Sequence, residues 1–143
     1  MGEALEQARL AAMRGEVPVG ALVVDGDGRV LARAHNRPVF LDDPTAHAEI
    51  LALRQACRAA GNYRLPGSVV YATLEPCVMC VGAMIHARVA RLVYGAPDAK
   101  SGAAGSVMDL TSVPFFNHYV EVFGGLRARE CSEVLKDFFR KRR

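Results

Sequence analysis

The chain has 143 residues, of which 51% are hydrophobic and 23% are charged, and its net charge is +3. This is the composition of a globular protein, and it excludes a disordered chain. The longest apolar run, from Cys77 to Ile85, is too short to span a bilayer, and the first ten residues show no secretory signal. We therefore expect a single domain over residues 1–143, located in the cytoplasm, with no membrane partner.

The first half of the chain is predicted to form two helices on either side of a β-hairpin. The first helix covers residues 3–14, and two strands follow at 18–25 and 29–36. The run Asp25–Gly28 between the strands is a strong hairpin signal. A second helix is predicted over 42–60, because its Asp-Asp-Pro-Thr start combines a capping carboxylate with a proline in the first turn.

The middle of the chain has the pattern of a strand, a helix and a strand with short connections. Residues 68–74 and 89–95 are the strands, and residues 77–88 form the apolar helix between them. Two strands joined through a helix in this way are parallel. The hairpin and this unit together predict a mixed sheet.

The last third of the chain begins with a long loop. Residues 96–106 are rich in glycine and alanine and lack periodicity, which is typical of a functional loop. A short strand at 118–123 and a helix at 127–140 complete the chain. Because helices precede and follow the strands, we expect an α/β fold with helices on both faces of the sheet.

The positive charge of the chain is confined to its C-terminal end. Residues 127–143 carry seven Lys and Arg residues and three acidic residues, whereas the rest of the chain has a net charge of −1. A solvated helix end explains this pattern, since cations suit the helix dipole there. A surface that contacts phosphates explains it equally well.

Cys77 and Cys80 carry the strongest chemical signal. They lie three residues apart at the start of a predicted helix, which puts both sulfur atoms on one side of its first turn. The positive end of the helix dipole favours thiolates, and thiolates together with imidazole favour Zn²⁺. A thioredoxin-like redox pair is an alternative interpretation of the same spacing.

A zinc site needs further ligands, and the chain has four histidines: His35, His47, His86 and His118. His86 lies nine residues after Cys77 on the same helix and therefore points to the opposite face. His47 lies at a second predicted helix start, so two helix N-termini could converge on one metal ion. Three protein ligands leave the fourth position open, which is typical of a catalytic zinc. A structural site that also uses His86 is the alternative.

Glu49 follows His47 by two residues and is a candidate proton carrier. Positions i and i+2 of a helix do not share a face. The spacing alone therefore does not place this carboxylate beside the metal.

The runs His47-Ala48-Glu49 and Pro76-Cys77-Val78-Met79-Cys80 resemble the H-x-E and P-C-x-x-C signature of the zinc-dependent nucleoside and nucleobase deaminases. Further stretches are similar to the bacterial tRNA-specific adenosine deaminases within that superfamily. These stretches are residues 16–21, 36–38, 43–50, 73–80, 82–86, 98–106 and 137–140, and the resemblance extends over essentially the whole chain.

This resemblance implies a three-layer α/β/α fold of the cytidine deaminase type, with a five-stranded mixed sheet, and a homodimer. It implies one zinc ion per chain, held by His47, Cys77 and Cys80, with Glu49 moving protons. The implied reaction is the hydrolytic deamination of adenosine to inosine at the wobble position of a tRNA anticodon.

The resemblance also implies the substrate contacts. Asn36 and the backbone of Ala48 would hold the adenine, and Val19 and Leu74 would form the walls of its pocket. The implied RNA contacts are Asp98, Asn117, Phe138, Phe139, Arg140 and Arg142. Adjacent helix positions point about 100° apart, so only one of the two phenylalanines can face the RNA.

Two other functions fit the same signature. A deaminase of free guanine, cytosine or a nucleoside would use the same zinc chemistry, but it has no need of a basic C-terminal helix. A non-catalytic, zinc-stabilised RNA-binding module has no need of Glu49 beside a metal. The basic C-terminal helix and Glu49 therefore both favour the tRNA deaminase.

Overall fold

The computed structural model describes residues 1–143 and contains five strands and five helices. The strands are β1 (Gly20–Val24), β2 (Val30–His35), β3 (Val69–Leu74), β4 (Arg91–Ala96) and β5 (Glu121–Phe123). The helices are α1 (Gly2–Met13), α2 (Pro38–Leu41), α3 (Ala48–Ala60), α4 (Val78–His86) and α5 (Ala128–Arg140). No helix combines the length and the apolar character that crossing a membrane requires.

The strands form one mixed sheet in the order β2-β1-β3-β4-β5. Strand β1 is antiparallel to both β2 and β3. Strands β3, β4 and β5 run parallel to one another. The predicted hairpin and the predicted parallel strand-helix-strand unit are both confirmed.

Helices cover both faces of the sheet, as predicted. Helices α3 and α4 bury their apolar sides against one face, in a core that includes Val23, Val70 and Met84. Helices α1 and α5 pack on the other face. At Gly20 helix α1 lies so close to the sheet that a Cβ atom would overlap the backbone of Ala4. The result is the three-layer α/β/α architecture.

The predicted helix over 42–60 is wrong at its start. Helix α3 begins only at Ala48, and the short helix α2 before it was not predicted. The carboxylate of Asp43 accepts hydrogen bonds from the backbone N–H and the hydroxyl of Thr45, at 2.8 and 2.7 Å. This local turn uses the side chain that was expected to cap the helix. All other predicted boundaries lie within three residues of the observed ones.

Candidate metal centre and pocket

Two helix N-termini meet at the candidate metal centre. His47 is the residue that precedes α3, Cys77 is the residue that precedes α4, and Cys80 lies in the first turn of α4. Cys80 is fully buried, whereas His47 and Cys77 are half-buried. These three residues form the one group in the chain whose metal-binding atoms lie within 4.8 Å of one another. His86 is exposed and lies outside it.

The distances between the donor atoms fit a tetrahedral zinc ion. The sulfur atoms of Cys77 and Cys80 are 3.8 Å apart, and the Nδ1 atom of His47 lies 3.7 and 3.6 Å from them. Tetrahedral angles with ordinary zinc bond lengths place two sulfurs about 3.8 Å apart and a sulfur and a nitrogen about 3.6 Å apart. The three side chains are therefore preorganised for this metal, with a fourth coordination position left for another ligand.

The three donors also perturb one another's protonation. Hydrogen bonding from Cys80, and then from His47, lowers the pKa of Cys77 to about 4. The contact with Cys77, together with burial, raises the pKa of Cys80. The hydrogen bond with Cys77 raises the pKa of His47. These shifts favour the thiolate form of Cys77 at the positive end of α4, which is the form that a metal ligand requires.

Glu49 lies beside the donors although the helical spacing did not place it there. His47 has an extended backbone, with φ −69° and ψ 152°, because it precedes the helix rather than belonging to its first turn. Its side chain and that of Glu49 can therefore project to the same side. Glu49 is 3% exposed, and its Oε2 atom is the one buried side-chain nitrogen or oxygen without a hydrogen-bond partner. Burial raises the pKa of this carboxyl.

A cavity of about 310 Å³ opens above His47, Glu49 and Cys77. It is large enough for a nucleobase, and its lining is mixed in polarity. The structure brings five of the predicted substrate-contacting residues to its wall: Val19, Asn36, Leu74, Asp98 and Arg142. The carboxylate of Asp98 is engaged within its own loop, where it accepts hydrogen bonds from Ser101 and Lys100.

Ala48 does not lie on the cavity wall. It is fully buried, and its N–H donates a hydrogen bond of 2.8 Å to the Oδ1 atom of Asn36. This contact fixes the amide of Asn36, because its oxygen is occupied and its NH₂ group remains free to donate. The Ala48 N–H is thus engaged by Asn36, and the contact between the Ala48 backbone and adenine stays a prediction.

The structure places two other predicted contact residues away from the cavity wall. Asn117 accepts a hydrogen bond from Arg88, which lies just beyond the C-terminal end of α4, whereas the metal donors lie at its N-terminal end. Phe138 is 8% exposed and packs under the guanidinium of Arg142, 4.2 Å from the ring centre. Phe138 is therefore a core residue, and its contact with RNA stays a prediction.

Phe139 and Arg140 face solvent near the cavity without lining it. Phe139 is 49% exposed, so it is the phenylalanine of the pair that is free to meet RNA. Arg140 pairs with Asp137 at 2.6 Å on the exposed surface of α5. Both residues line a neighbouring groove together with Lys100, Lys136 and Arg143. This groove continues the cavity along the basic end of the chain.

Glu75 holds the loop that forms one side of the cavity, and the sequence did not reveal this role. Its buried carboxylate accepts hydrogen bonds of 3.0 Å from the backbone N–H groups of Asp98, Ala104 and Ser106, and a further bond from the Ser106 hydroxyl. Burial opposes ionisation, but these bonds outweigh it and lower the pKa of Glu75. A Cβ atom on Gly102 would overlap this carboxylate.

Glu16 and Gly15 hold the opposite side of the cavity in a similar way. The buried carboxylate of Glu16 accepts hydrogen bonds from the N–H groups of Val39 and Phe40, at 3.3 and 2.8 Å. The carbonyl oxygen of Gly15 accepts a hydrogen bond of 2.7 Å from Arg142. No local pattern in the sequence indicates these contacts, because they join residues far apart in the chain.

Comparisons with known proteins agree on one family. Residues 1–143 match the model of the MafB19-like deaminases. The tRNA-specific adenosine deaminase of Haemophilus influenzae is 48% identical over 143 residues, which are 100% of this chain and 83% of that protein. A structure solved in work on A-to-I editing by tRNA:A34 deaminases at the wobble position of transfer RNA superposes with a TM-score of 0.91. It is 50% identical, and the match covers 94% of this chain and 97% of that one.

A more distant structural relative acts on a free base. The guanine deaminase of Nitrosomonas europaea superposes with a TM-score of 0.80 and is 28% identical. The match covers 96% of this chain and 81% of that chain. The same fold therefore carries the deamination of different purine substrates.

Proposed function

Because the chain belongs to the MafB19-like deaminases and to the family of tRNA-specific adenosine deaminases, we propose that it converts adenosine to inosine at the wobble position of a tRNA anticodon. The observation that carries the chemistry is the buried Glu49 carboxyl beside three metal donors at the base of a nucleobase-sized cavity. The substrate class is supported by the relatives and by the basic groove beside that cavity. Since tRNA is the substrate, we place the enzyme in the cytoplasm, with residues 1–143 acting as one deaminase domain.

We assign one zinc ion per chain to His47 Nδ1 and the sulfur atoms of Cys77 and Cys80. The match between the donor separations and a tetrahedral ion supports zinc over metals of other geometry. When bound, zinc lowers the pKa of a water molecule at its open position and so makes it a nucleophile at neutral pH.

Glu49 moves the protons of the reaction. It accepts a proton from the water that adds to C6 of adenine, and it delivers a proton to the ring nitrogen N1. It then accepts the remaining proton of the new C6 hydroxyl and delivers it to the amine, which leaves as ammonia. C6 keeps the oxygen as a carbonyl, and the product is inosine. Burial, which raises the pKa of this carboxyl, suits a group that must be protonated and deprotonated within one cycle.

Asn36 orients the base. Its oxygen is held by Ala48, so its NH₂ group donates to an acceptor atom on the purine ring. Val19 and Leu74 form apolar walls on which the base packs. Extrusion of the base from the loop requires little energy, since anticodon loop nucleotides are largely unpaired.

The C-terminal end of the chain binds the anticodon stem-loop. Both arginines of α5 pair with acidic neighbours, Arg129 with Glu133 and Arg140 with Asp137. Lys136, Lys141 and Arg143 have no acidic partner and supply positive charge for phosphates. The exposed ring of Phe139 offers a surface for stacking.

The enzyme acts as a homodimer. Helix α4 buries Val81, Met84 and Ile85, but Val78 on its outer side is 49% exposed and Gly82 faces open space. A helix that is apolar all round is normally covered on every side, and a second copy of the chain supplies the missing cover. Sedimentation that shows only monomers at micromolar concentration would reject this dimer.

One experiment tests the substrate directly. The purified enzyme is incubated with tRNA that carries adenine at the wobble position, with the same tRNA carrying guanine there, and with free adenosine, cytidine and guanine. We expect inosine and ammonia from the first RNA alone. Ammonia from free guanine, with the RNA unchanged, would instead establish the activity of the more distant structural relative.

A further inference from the structure

Helix α2 exposes an unusual amount of apolar surface at the mouth of the cavity. Val39 is 75% exposed, Phe40 is 69% exposed and Leu41 is 42% exposed. Val39 also lines the cavity, so Phe40 lies one residue outside its wall. Exposed apolar groups that adjoin a binding pocket mark surfaces that bind something.

The backbone of α2 is held firmly, so Phe40 is presented by a fixed element. Pro38 occupies the first turn, and the Glu16 carboxylate accepts hydrogen bonds from the Val39 and Phe40 N–H groups. The helix ends at Leu41, and the next residue, Asp42, has a left-handed backbone with φ 49°. A side chain on such an element loses little conformational freedom when it binds a ligand.

The surroundings of Phe40 are suited to RNA. The guanidinium of Arg37 lies 4.6 Å from the centre of the Phe40 ring. This cation covers part of the ring and leaves the remainder open to solvent. Its charge suits the phosphate that accompanies any nucleotide stacked on the ring.

We propose that Phe40 is a stacking platform for the unpaired nucleotide next to the reacting adenosine. When one base of the loop enters the cavity, its neighbour in the chain remains at the mouth, where α2 exposes the ring. Aromatic side chains bind unpaired bases in this way. This inference rests on the proposed function, because it requires RNA to be the substrate.

The test uses Phe40→Ala and Phe40→Trp. In a Glu49→Ala background, which prevents turnover, the equilibrium dissociation constant is measured for an anticodon stem-loop with adenine at the wobble position. We expect Phe40→Ala to weaken binding roughly 5- to 150-fold and Phe40→Trp to restore it. The dependence of binding on salt should be unchanged, since no charge is removed.

Tyr63→Ala is the matched control. Tyr63 is 70% exposed and also lies under an arginine, with the Arg64 guanidinium 5.2 Å from its ring, but it does not line the cavity. This variant should bind the stem-loop like the parent. Equal weakening by Tyr63→Ala and Phe40→Ala would overturn the proposal.

A fluorescent base gives a second readout. 2-Aminopurine is placed on either side of the wobble position, and its emission falls when it stacks. In one of the two positions, emission in the complex should rise on Phe40→Ala. Unchanged emission at both positions would overturn the proposal. It would also be overturned if Phe40→Ala changed the oligomeric state and left the RNA affinity unchanged. If the parent enzyme makes no inosine, the proposed function fails instead.

Discussion

The base of the cavity and its mouth are built in different ways. At the base, the start of α3 positions His47 and Glu49, and the start of α4 positions Cys77 and Cys80. The packing of these two helix starts brings the two pairs together. At the mouth, α2, the loop over 96–106 and the end of α5 are held by contacts between distant residues. The site residues are therefore placed by two local helix starts that the fold brings together, whereas the mouth depends on side-chain contacts between distant residues throughout.

The largest effect is expected from removing a metal donor at the base. Cys80→Ala takes away one of three ligands and should leave the protein without zinc and without deaminase activity. Metal analysis and inosine formation measure the two effects, and Cys57→Ala, which removes a free thiol outside the group, should alter neither. Full zinc content in Cys80→Ala would contradict the ligand assignment.

Glu49→Ala should separate metal binding from proton transfer at the base of the cavity. It leaves all three donors in place, so the zinc content should equal that of the parent. Activity should fall on the order of 10²–10⁴-fold or more, because the carboxyl moves protons in two steps. Loss of zinc in this variant would show instead that Glu49 is a ligand.

Removing the positive charges at the mouth of the cavity should affect RNA binding and leave metal binding unchanged. Changing Arg140, Lys141, Arg142 and Arg143 to Gln should weaken tRNA binding and lower the slope of affinity against salt by about 0.7–0.9 for each phosphate that is no longer neutralised. Zinc content should be unchanged. Arg129→Gln, at the other end of α5, is the control. A parental salt slope in the fourfold variant would mean that the RNA is held elsewhere.

A smaller effect is expected from Glu75→Gln, because it loosens only the loop at the mouth. An amide cannot accept bonds at both of its ends, so a buried N–H loses its partner and the free energy of unfolding should fall by about 1–3 kcal/mol. Chemical denaturation measures this change. Glu121→Gln, which removes an exposed ion pair with Arg91, should have little effect.

The pH dependence of stability is a second test of the hydrogen bonds that Glu75 makes to the loop. The pKa of Glu75 is lowered by folding, so its contribution is fully present at neutral pH and is lost as the pH falls through the folded pKa. Glu75→Gln should therefore remove part of the loss of stability seen on acidification. An unchanged acid profile would show that the carboxylate does not anchor the loop.

The sequence predicted the base of the cavity well because the relevant signals are local. The three-residue spacing of Cys77 and Cys80 indicated a shared helix face, and the structure shows their sulfur atoms 3.8 Å apart. The position of Glu49 could not be predicted from spacing alone. It depends on the turn at Asp43, which delays the start of α3 and leaves His47 outside the helix.

The mouth was harder to predict because its contacts join distant parts of the chain. Arg142 bonds to Gly15, 127 residues away, and Glu75 bonds to residues 23 to 31 positions further on. Helical geometry showed that Phe138 and Phe139 cannot both face RNA, but only the packing of α5 shows that Phe138 is the buried one.

The donor set also bears on the entropy of the unfolded chain. The proposed zinc ion would join His47 to cysteines that lie 30 and 33 residues away, so it would close a loop that contains all of α3 and all of β3. A covalent cross-link around a loop of this length contributes about 3–4 kcal/mol in the chain-entropy model. The ion also pins the first turns of two helices, where helix formation is least favourable. Binding of the proposed ion would thus contribute to folding the domain as well as to preparing it for chemistry.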